Sequence, residues 1–134
     1  MADKLIEVPM TVRWGDMDAF GHVNNATYAT YVEEARLRWF ETLAGGWHDA
    51  DTGPVVAAQH INYRLPIEWP AEITVALSSE RVGNSSLTLG FRIHAAGNPQ
   101  RAYADGTTVL VWMDRRSGRS MALPQPVREA VDAG

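Results

Sequence analysis

The first segment of the chain alternates between apolar and other residues with a period of two. Its apolar members are Ile6, Val8, Met10, Val12 and Trp14. Such a period predicts a β-strand with one buried face. Pro9, which lies between them, has no N–H to donate to a neighbouring strand. We therefore expect this strand to lie at a sheet edge or to contain a bulge.

From Asn24 to about Ala44 the apolar residues recur every three or four positions instead. They are Tyr28, Val32, Ala35, Trp39 and Leu43. This spacing predicts one long amphipathic helix. Asn24 or Asn25 is a suitable N-cap, and Gly45-Gly46 is a suitable stop. A helix of about 20 residues is near 30 Å long, which is enough to lie along a whole sheet.

The rest of the chain returns to alternation, interrupted by turns that contain Pro, Gly and Asn. The predicted strands are Val55–Leu65, Ile73–Ser78, Leu87–His94 and Ala102–Met113, followed by a short helix at Pro124–Val131. Strands joined mostly by tight turns favour antiparallel pairing. The pattern therefore predicts an α+β fold, with an antiparallel sheet and one helix across one face. We expect a single domain that covers residues 1–134.

Composition excludes several classes of function. The formal net charge of −4 disfavours general nucleic-acid binding, which needs an excess of positive charge. The chain has no cysteine, so disulfides, thiolate metal sites and cysteine catalysis are excluded. No apolar run is long enough to span a membrane, and the N-terminus lacks the apolar core of a signal peptide. We expect a cytoplasmic protein without a membrane partner.

A dense polar cluster joins the first strand to the long helix. Its members are Asp16, Asp18, His22, Asn24 and Asn25. A helix N-terminus offers free N–H groups and favours negative charge, so it can hold a carboxylate, a phosphate or a developing oxyanion. Loops of this kind are also rich in Gly, Asp and Asn simply because of turn geometry and capping. Spacing alone leaves both interpretations open.

The segment from Trp14 to Arg38 reads WGDMDAFGHVNNATYATYVEEARLR. It resembles the opening motif of the 4-hydroxybenzoyl-CoA thioesterase-like branch of hotdog-fold acyl-CoA thioesterases, D-x-D-x-x-G-H-V-N-N-x-x-Y followed by E-E-A-R. The later run Gly83–Leu87 is also similar to a turn in that family. The resemblance implies a sheet wrapped around one long central helix. It further implies subunits paired edge to edge as a homodimer or tetramer, with acyl-CoA in a crevice between them.

The resemblance also implies roles for individual residues. Asp18 matches the catalytic carboxylate, which acts as nucleophile or as general base, and Asn25 matches the position whose backbone N–H meets the thioester carbonyl. The candidate substrate-binding residues are His22, Asn24, Gln59, Arg64, Ser85 and Ser86. No cofactor is implied. The four histidines show no metal-ligand spacing, so no metal site is expected.

Several assignments have competing interpretations. Asp16 is better explained by a structural role in the turn than by catalysis. Arg64 and the run Arg115–Arg119 are candidates for binding the CoA phosphates, although the run also fits a solvated turn. A non-catalytic acyl-CoA-binding dimer remains an alternative function. A hydratase or dehydratase of the same fold is another, although its Asp-x-Asn-x-x-His pattern is absent, because Ala-Phe-Gly separates Asp18 from His22.

Overall fold

The computed structural model describes residues 3–133. The strands are β1 (Asp3–Thr11), β2 (Thr52–Tyr63), β3 (Glu72–Val82), β4 (Ser86–Ala95), β5 (Asn98–Asp114) and the two-residue β6 (Arg119–Ser120). The helices are α1 (Asn25–Glu41) and α2 (Gln125–Ala133). The strands form one antiparallel sheet in the order β1-β3-β4-β5-β2, and β6 pairs with β5. The predicted α+β hotdog arrangement is confirmed.

The core lies between α1 and one face of the sheet. Four of the five predicted apolar positions of the helix are buried, namely Tyr28, Val32, Ala35 and Trp39. The sheet contributes alternate residues of its central strands, including Ile73, Val75, Leu77, Leu87, Leu89, Ile93 and Leu110. Burying one such side chain stabilises the fold by roughly 1.5–3 kcal/mol. No helix within residues 3–133 is long and apolar enough to cross a membrane.

The first strand ends earlier than the alternation predicted. β1 stops at Thr11, and Trp14 begins a short 3-10 turn in which its side chain is 72% exposed, so its predicted burial is wrong. The cause is local, because the Asp16 carboxylate accepts the Arg13 N–H at 2.9 Å and turns the chain out of the strand. α1 also ends early, since Thr42 caps it and its Oγ1 donates to the Trp39 carbonyl.

The two edges of the sheet are β1 and β2. The edge position predicted from Pro9 is confirmed for β1. β2 runs from Thr52 to Tyr63 and carries a bulge at Ala57. Residues 55–60 are exposed on both faces in the single chain. Residues 55–58 are Val-Val-Ala-Ala, so this stretch is apolar on both faces, and no element of the same chain covers it.

Candidate active site

The loop between β1 and α1 is a closed turn whose shape follows from its sequence. Met17 and Val23 form an isolated antiparallel bridge, and the Asp18 N–H donates to the His22 carbonyl at 2.8 Å. Gly21 has a φ of 82°, which favours glycine, and it lets the chain reverse between them. The Val23 N–H then donates to the Ile67 carbonyl, at 2.9 Å, which fixes the loop to the body of the fold.

Asp18 occupies the first position of this turn. Its Oδ1 accepts the Phe20 N–H at 2.9 Å, as short polar side chains commonly do two residues ahead. The His22 N–H lies at 3.5 Å from the same oxygen. Within residues 3–133 the other oxygen, Oδ2, has no hydrogen-bond partner. One half of the carboxylate therefore holds the turn, and the other half is left for a substrate or for water.

Asp16 has a different environment. Its side chain is buried, and its Oδ2 accepts both the Tyr31 hydroxyl at 2.7 Å and the Arg13 N–H at 2.9 Å. Its Oδ1 accepts two longer bonds of 3.3 Å from the Arg13 guanidinium. Burial alone raises the pKa of Asp16, but these hydrogen bonds outweigh it and hold the pKa below its usual value. The structural role expected for Asp16 agrees with this geometry.

The first turn of α1 leaves one N–H group free. The Asn24 side chain caps the Ala26 N–H at 2.8 Å, and the Thr27 N–H donates to the Asn24 carbonyl at 2.9 Å. Among residues 3–133 the Asn25 N–H has no acceptor. The positive end of the helix therefore presents a free donor at the position that the resemblance singled out.

Tyr63, at the end of β2, holds the same turn of α1 from the other side. Its hydroxyl donates to the Asn25 carbonyl at 3.1 Å, and its ring packs edge-on against Tyr28 with centroids 5.1 Å apart. Sequence reasoning had not assigned Tyr63 a role. The available signal was its place as an aromatic residue at the end of a strand, immediately before Arg64 and near Pro66.

These groups surround one cleft of about 570 Å³. Five of the predicted site residues line it, namely Asp18, His22, Asn24, Asn25 and Arg64. The other walls are mostly apolar and consist of Phe20, Val23, Tyr28, Tyr63, Leu65 and Pro66. Small polar groups that converge in an apolar cleft are the usual form of a ligand site. Phe20 stands at the rim with its side chain 87% exposed.

Arg64 is already paired within the chain. Its Nε and Nη2 each donate to the Asp105 carboxylate at 3.1 Å, and Asp105 also accepts a bond from Asn62. Hydrogen bonding from Arg64 lowers the pKa of Asp105. Nη1 of Arg64 lies outside this pair. A phosphate at Arg64 therefore competes with Asp105, or else uses the remaining nitrogen.

Three predicted substrate contacts do not line the cleft of the single chain. Gln59 lies further back along β2, where it accepts the Thr108 hydroxyl at 3.2 Å. Ser85 and Ser86 lie at the turn between β3 and β4, and the Ser85 carbonyl accepts the Trp112 N–H. On β5, Trp112 lies eight residues beyond Ala104, the residue that pairs with Tyr63 at the cleft. Eight residues of a strand correspond to roughly 26 Å.

The Arg115–Arg119 run also lies away from the cleft. Its first four residues form the turn between β5 and β6, beside the start of β2, and Arg119 begins β6. The Arg116 Nε donates to the Asp51 carboxylate at 3.0 Å, and the Arg115 N–H donates to the Asp51 carbonyl. The cleft is at the opposite end of β2. Within one chain, therefore, this turn cannot contact a ligand held at Asp18.

Comparison with known proteins identifies the family. The family model described as "Thioesterase-like superfamily" matches residues 12–131. The chain belongs to the thioesterase-like superfamily.

Its relatives in this superfamily include proteins of known structure. PA2801 of Pseudomonas aeruginosa, provisionally named a thioesterase, is 43% identical, with a TM-score of 0.90 over 96% of this chain and 99% of that one. A Thermus thermophilus thioesterase crystallised with coenzyme A and Zn is 34% identical, with a TM-score of 0.82 over 99% and 96%. The long-chain acyl-CoA thioesterase FadM of Escherichia coli is 28% identical over 95% of this chain and 97% of its own length.

Proposed function

We propose that this thioesterase-superfamily member hydrolyses acyl-CoA thioesters to a free acid and CoA, with Asp18 as the reacting carboxylate. The observation that carries the proposal is the pairing of two free groups in one cleft. One is the unengaged oxygen of Asp18, and the other is the unengaged N–H of Asn25. The names of relatives such as FadM, and the coenzyme A bound to the Thermus protein, support CoA as the thiol.

The two groups suit the two demands of acyl transfer. The Asn25 N–H, at the positive end of α1, polarises the thioester carbonyl and stabilises the oxyanion, which is worth on the order of 3 kcal/mol for a well-placed donor. Asp18 then acts in one of two ways. It attacks the carbonyl carbon, so that the C–S bond breaks, CoA leaves as the thiolate and water hydrolyses the resulting anhydride. Alternatively, it removes a proton from the attacking water.

The chain acts as a homodimer in this proposal, and the contrast between its two sheet edges supports that assembly. β1 carries Pro9, a bulge near Leu5 and an ion pair between Lys4 and Glu7 of 2.6 Å. These are features that protect an edge from further pairing. β2 also contains a proline, Pro54, and the bulge at Ala57, but it has no Lys, Arg, Asp or Glu along residues 55–60, and Val55 and Val56 are 44% and 46% exposed. A second copy paired along β2 buries this apolar edge.

Antiparallel pairing of β2 with β2 of a second copy also brings residues of that copy towards the cleft. The exposed stretch is centred near Ala57 and Ala58, so a two-fold axis there sets the start of one β2 opposite the end of the other. The Arg115–Arg119 turn of the second copy then comes to the end where Tyr63 and Arg64 lie. We propose that this turn contacts the CoA phosphates across the dimer. We also propose a cytoplasmic location and a single domain over residues 1–134.

A panel of acyl-CoAs incubated with a free-thiol reagent tests the activity. We expect thiol release with the parent protein for at least one member of the panel. New enoyl absorbance without thiol release supports a hydratase-type enzyme instead. Tight binding of acyl-CoA without any reaction supports a binding module, and either outcome contradicts the proposal.

Sedimentation velocity tests the assembly separately. We expect a dimer or a tetramer at micromolar concentration, because the β2 edge exposes apolar residues and unpaired backbone groups. A monomer that retains full thioesterase activity at the same concentration contradicts the dimer and leaves the proposed chemistry intact.

A further inference from the structure

Arg36 is a charged residue on the buried side of α1. It stands in a row with Tyr28, Val32 and Phe40, at successive steps of four residues, and all four are buried. The Arg36 side chain is only 10% exposed. An apolar residue would fit this row without losing hydration. An isolated charge, by contrast, loses its hydration when it is buried, and this loss is unfavourable. The guanidinium needs hydrogen-bond acceptors to offset that loss.

Its acceptors are incomplete within the chain. Among residues 3–133, Nη1 of Arg36 is the one buried side-chain nitrogen or oxygen that has no hydrogen-bond partner. Nη2 lies 3.7 Å from Oε2 of Glu33, which is too long for a hydrogen bond. The Glu33 side chain is itself 60% exposed. Burial lowers the pKa of Arg36, and the Glu33 charge opposes that shift without cancelling it.

The surface beside Arg36 is the one left uncovered next to β2. A cavity of about 250 Å³ lies there, between α1 and the β2 edge, and Glu33, Leu37 and Val56 are among its lining residues. Leu37 and Val56 are 40% and 46% exposed. A molecule that covers this apolar surface and carries a carboxylate or a carbonyl group would supply the missing acceptor.

We propose that a second copy of this chain supplies the acceptor, through an exchange in which Arg36 of each copy bonds Glu33 of the other. The inference rests on the homodimer of the proposed function. A two-fold interface is self-complementary, and this surface holds a buried donor without a partner and a mostly exposed carboxylate three residues away from it. Glu33 and Val56 line the same cavity, near the centre of the exposed β2 stretch, so Glu33 lies close to the expected axis.

The exchange explains why a charge stands in an apolar row. Two Glu33 carboxylates near a two-fold axis repel each other unless cations lie between them, and Arg36 of both copies provides those cations. Paired in this way, each guanidinium gains charge-assisted hydrogen bonds in a site from which water is excluded. The pair then favours association of two copies of this chain and disfavours the isolated subunit.

The test compares Arg36→Met and Glu33→Gln with the parent, and uses Arg38→Met as the matched control. Arg38 lies on the exposed side of the same helix, where it bonds Glu34 at 2.7 Å. We expect each of the two test variants to raise the dimer dissociation constant at least tenfold, measured by sedimentation of a fluorescently labelled chain. The control should change it less than twofold. The double variant should be little weaker than either single one, because both substitutions remove the same contact.

Other results overturn the inference. If the parent is dimeric and neither variant changes the dissociation constant, Arg36 is unpaired in the dimer as well. A monomeric parent refutes both the dimer and the exchange. Glu33→Gln changes only an exposed side chain, so it remains informative if Arg36→Met fails to fold. Thiol release by the parent at high concentration tests the thioesterase activity independently of either result.

Discussion

Asp16 and Asp18 stand two residues apart in one loop, in two different environments. The Asp16 side chain is 6% exposed, and both of its oxygens accept hydrogen bonds, from Arg13 and Tyr31. Asp18 lines the cleft and uses one oxygen to hold the turn at Phe20. Its second oxygen has no partner among residues 3–133. The first carboxylate is fixed by the protein, whereas the second can meet a substrate.

The difference shows how a short acidic motif divides its functions. A carboxylate that is surrounded by donors stays ionised and immobile, so it organises the chain but cannot easily accept a proton or form a bond. A carboxylate with a free oxygen at a cleft retains both abilities. The 3-10 turn at Trp14–Asp16 separates the two environments, because it directs Asp16 inward and carries Asp18 to the surface.

The largest expected effect is on turnover, from Asp18→Asn. We expect kcat for acyl-CoA hydrolysis to fall at least about 100-fold, because the amide neither attacks nor takes a proton. Asn retains an oxygen for the Phe20 N–H, so the melting temperature should stay close to that of the parent. Thiol release and a thermal melt of the same preparation check both statements. Near-normal turnover by the folded variant would remove Asp18 from the reaction.

Asp16→Asn should give the opposite combination, with lower stability and retained activity. The substitution replaces a charged acceptor of several bonds by an amide whose NH₂ faces donors, and we expect the free energy of unfolding to fall by about 2 kcal/mol. Urea unfolding measures this loss. The fraction that remains folded should keep at least tenfold more activity than Asp18→Asn. An Asp16→Asn protein that is fully stable but inactive would reverse the roles of the two residues.

Much of the fold was predictable because its signals are local. The period of two marked β1 and the period near 3.6 marked α1, and Pro9 indicated an edge strand. The exposure of β2 was not predictable from its own pattern. Its residues 55–58, Val-Val-Ala-Ala, are apolar on both faces, and this pattern does not say whether they are covered by the same chain or by another.

The candidate site was predictable only in part, for similar reasons. The polar loop and the helix N-terminus are adjacent in sequence, so Asp18, His22, Asn24 and Asn25 could be grouped before the fold was seen. Tyr63 comes from a distant strand, and only the sheet brings it to Asn25. The resemblance, rather than spacing, distinguished Asp18 from Asp16.

A smaller effect is expected from Tyr31→Phe, which removes one donor to Asp16 and leaves the carboxylate in place. We expect the free energy of unfolding to fall by about 1 kcal/mol, the typical contribution of one hydrogen bond. Tyr103→Phe is the control, because Tyr103 is also buried but lies on β5 outside this network. If the two variants lose equal stability by urea unfolding, the loss reflects burial of a tyrosine and not the bond to Asp16.

The smallest expected effect is the pH dependence of the stability that the ionised Asp16 carboxylate contributes. The pKa of Asp16 in the folded chain lies below its value in the unfolded chain, so the unfolded state takes up a proton first as the pH falls. The stability contributed by the ionised carboxylate is therefore complete above the unfolded pKa, near 4. It decreases as the pH falls through the folded pKa.

We expect the difference in unfolding free energy between the parent and Asp16→Asn to be constant from neutral pH to about pH 5 and to shrink below that. Urea titrations of both proteins at each pH measure it. A difference that grows with acidity would mean that the Asp16 carboxyl is protonated in the folded chain, and that Tyr31 and Arg13 do not hold it as an anion.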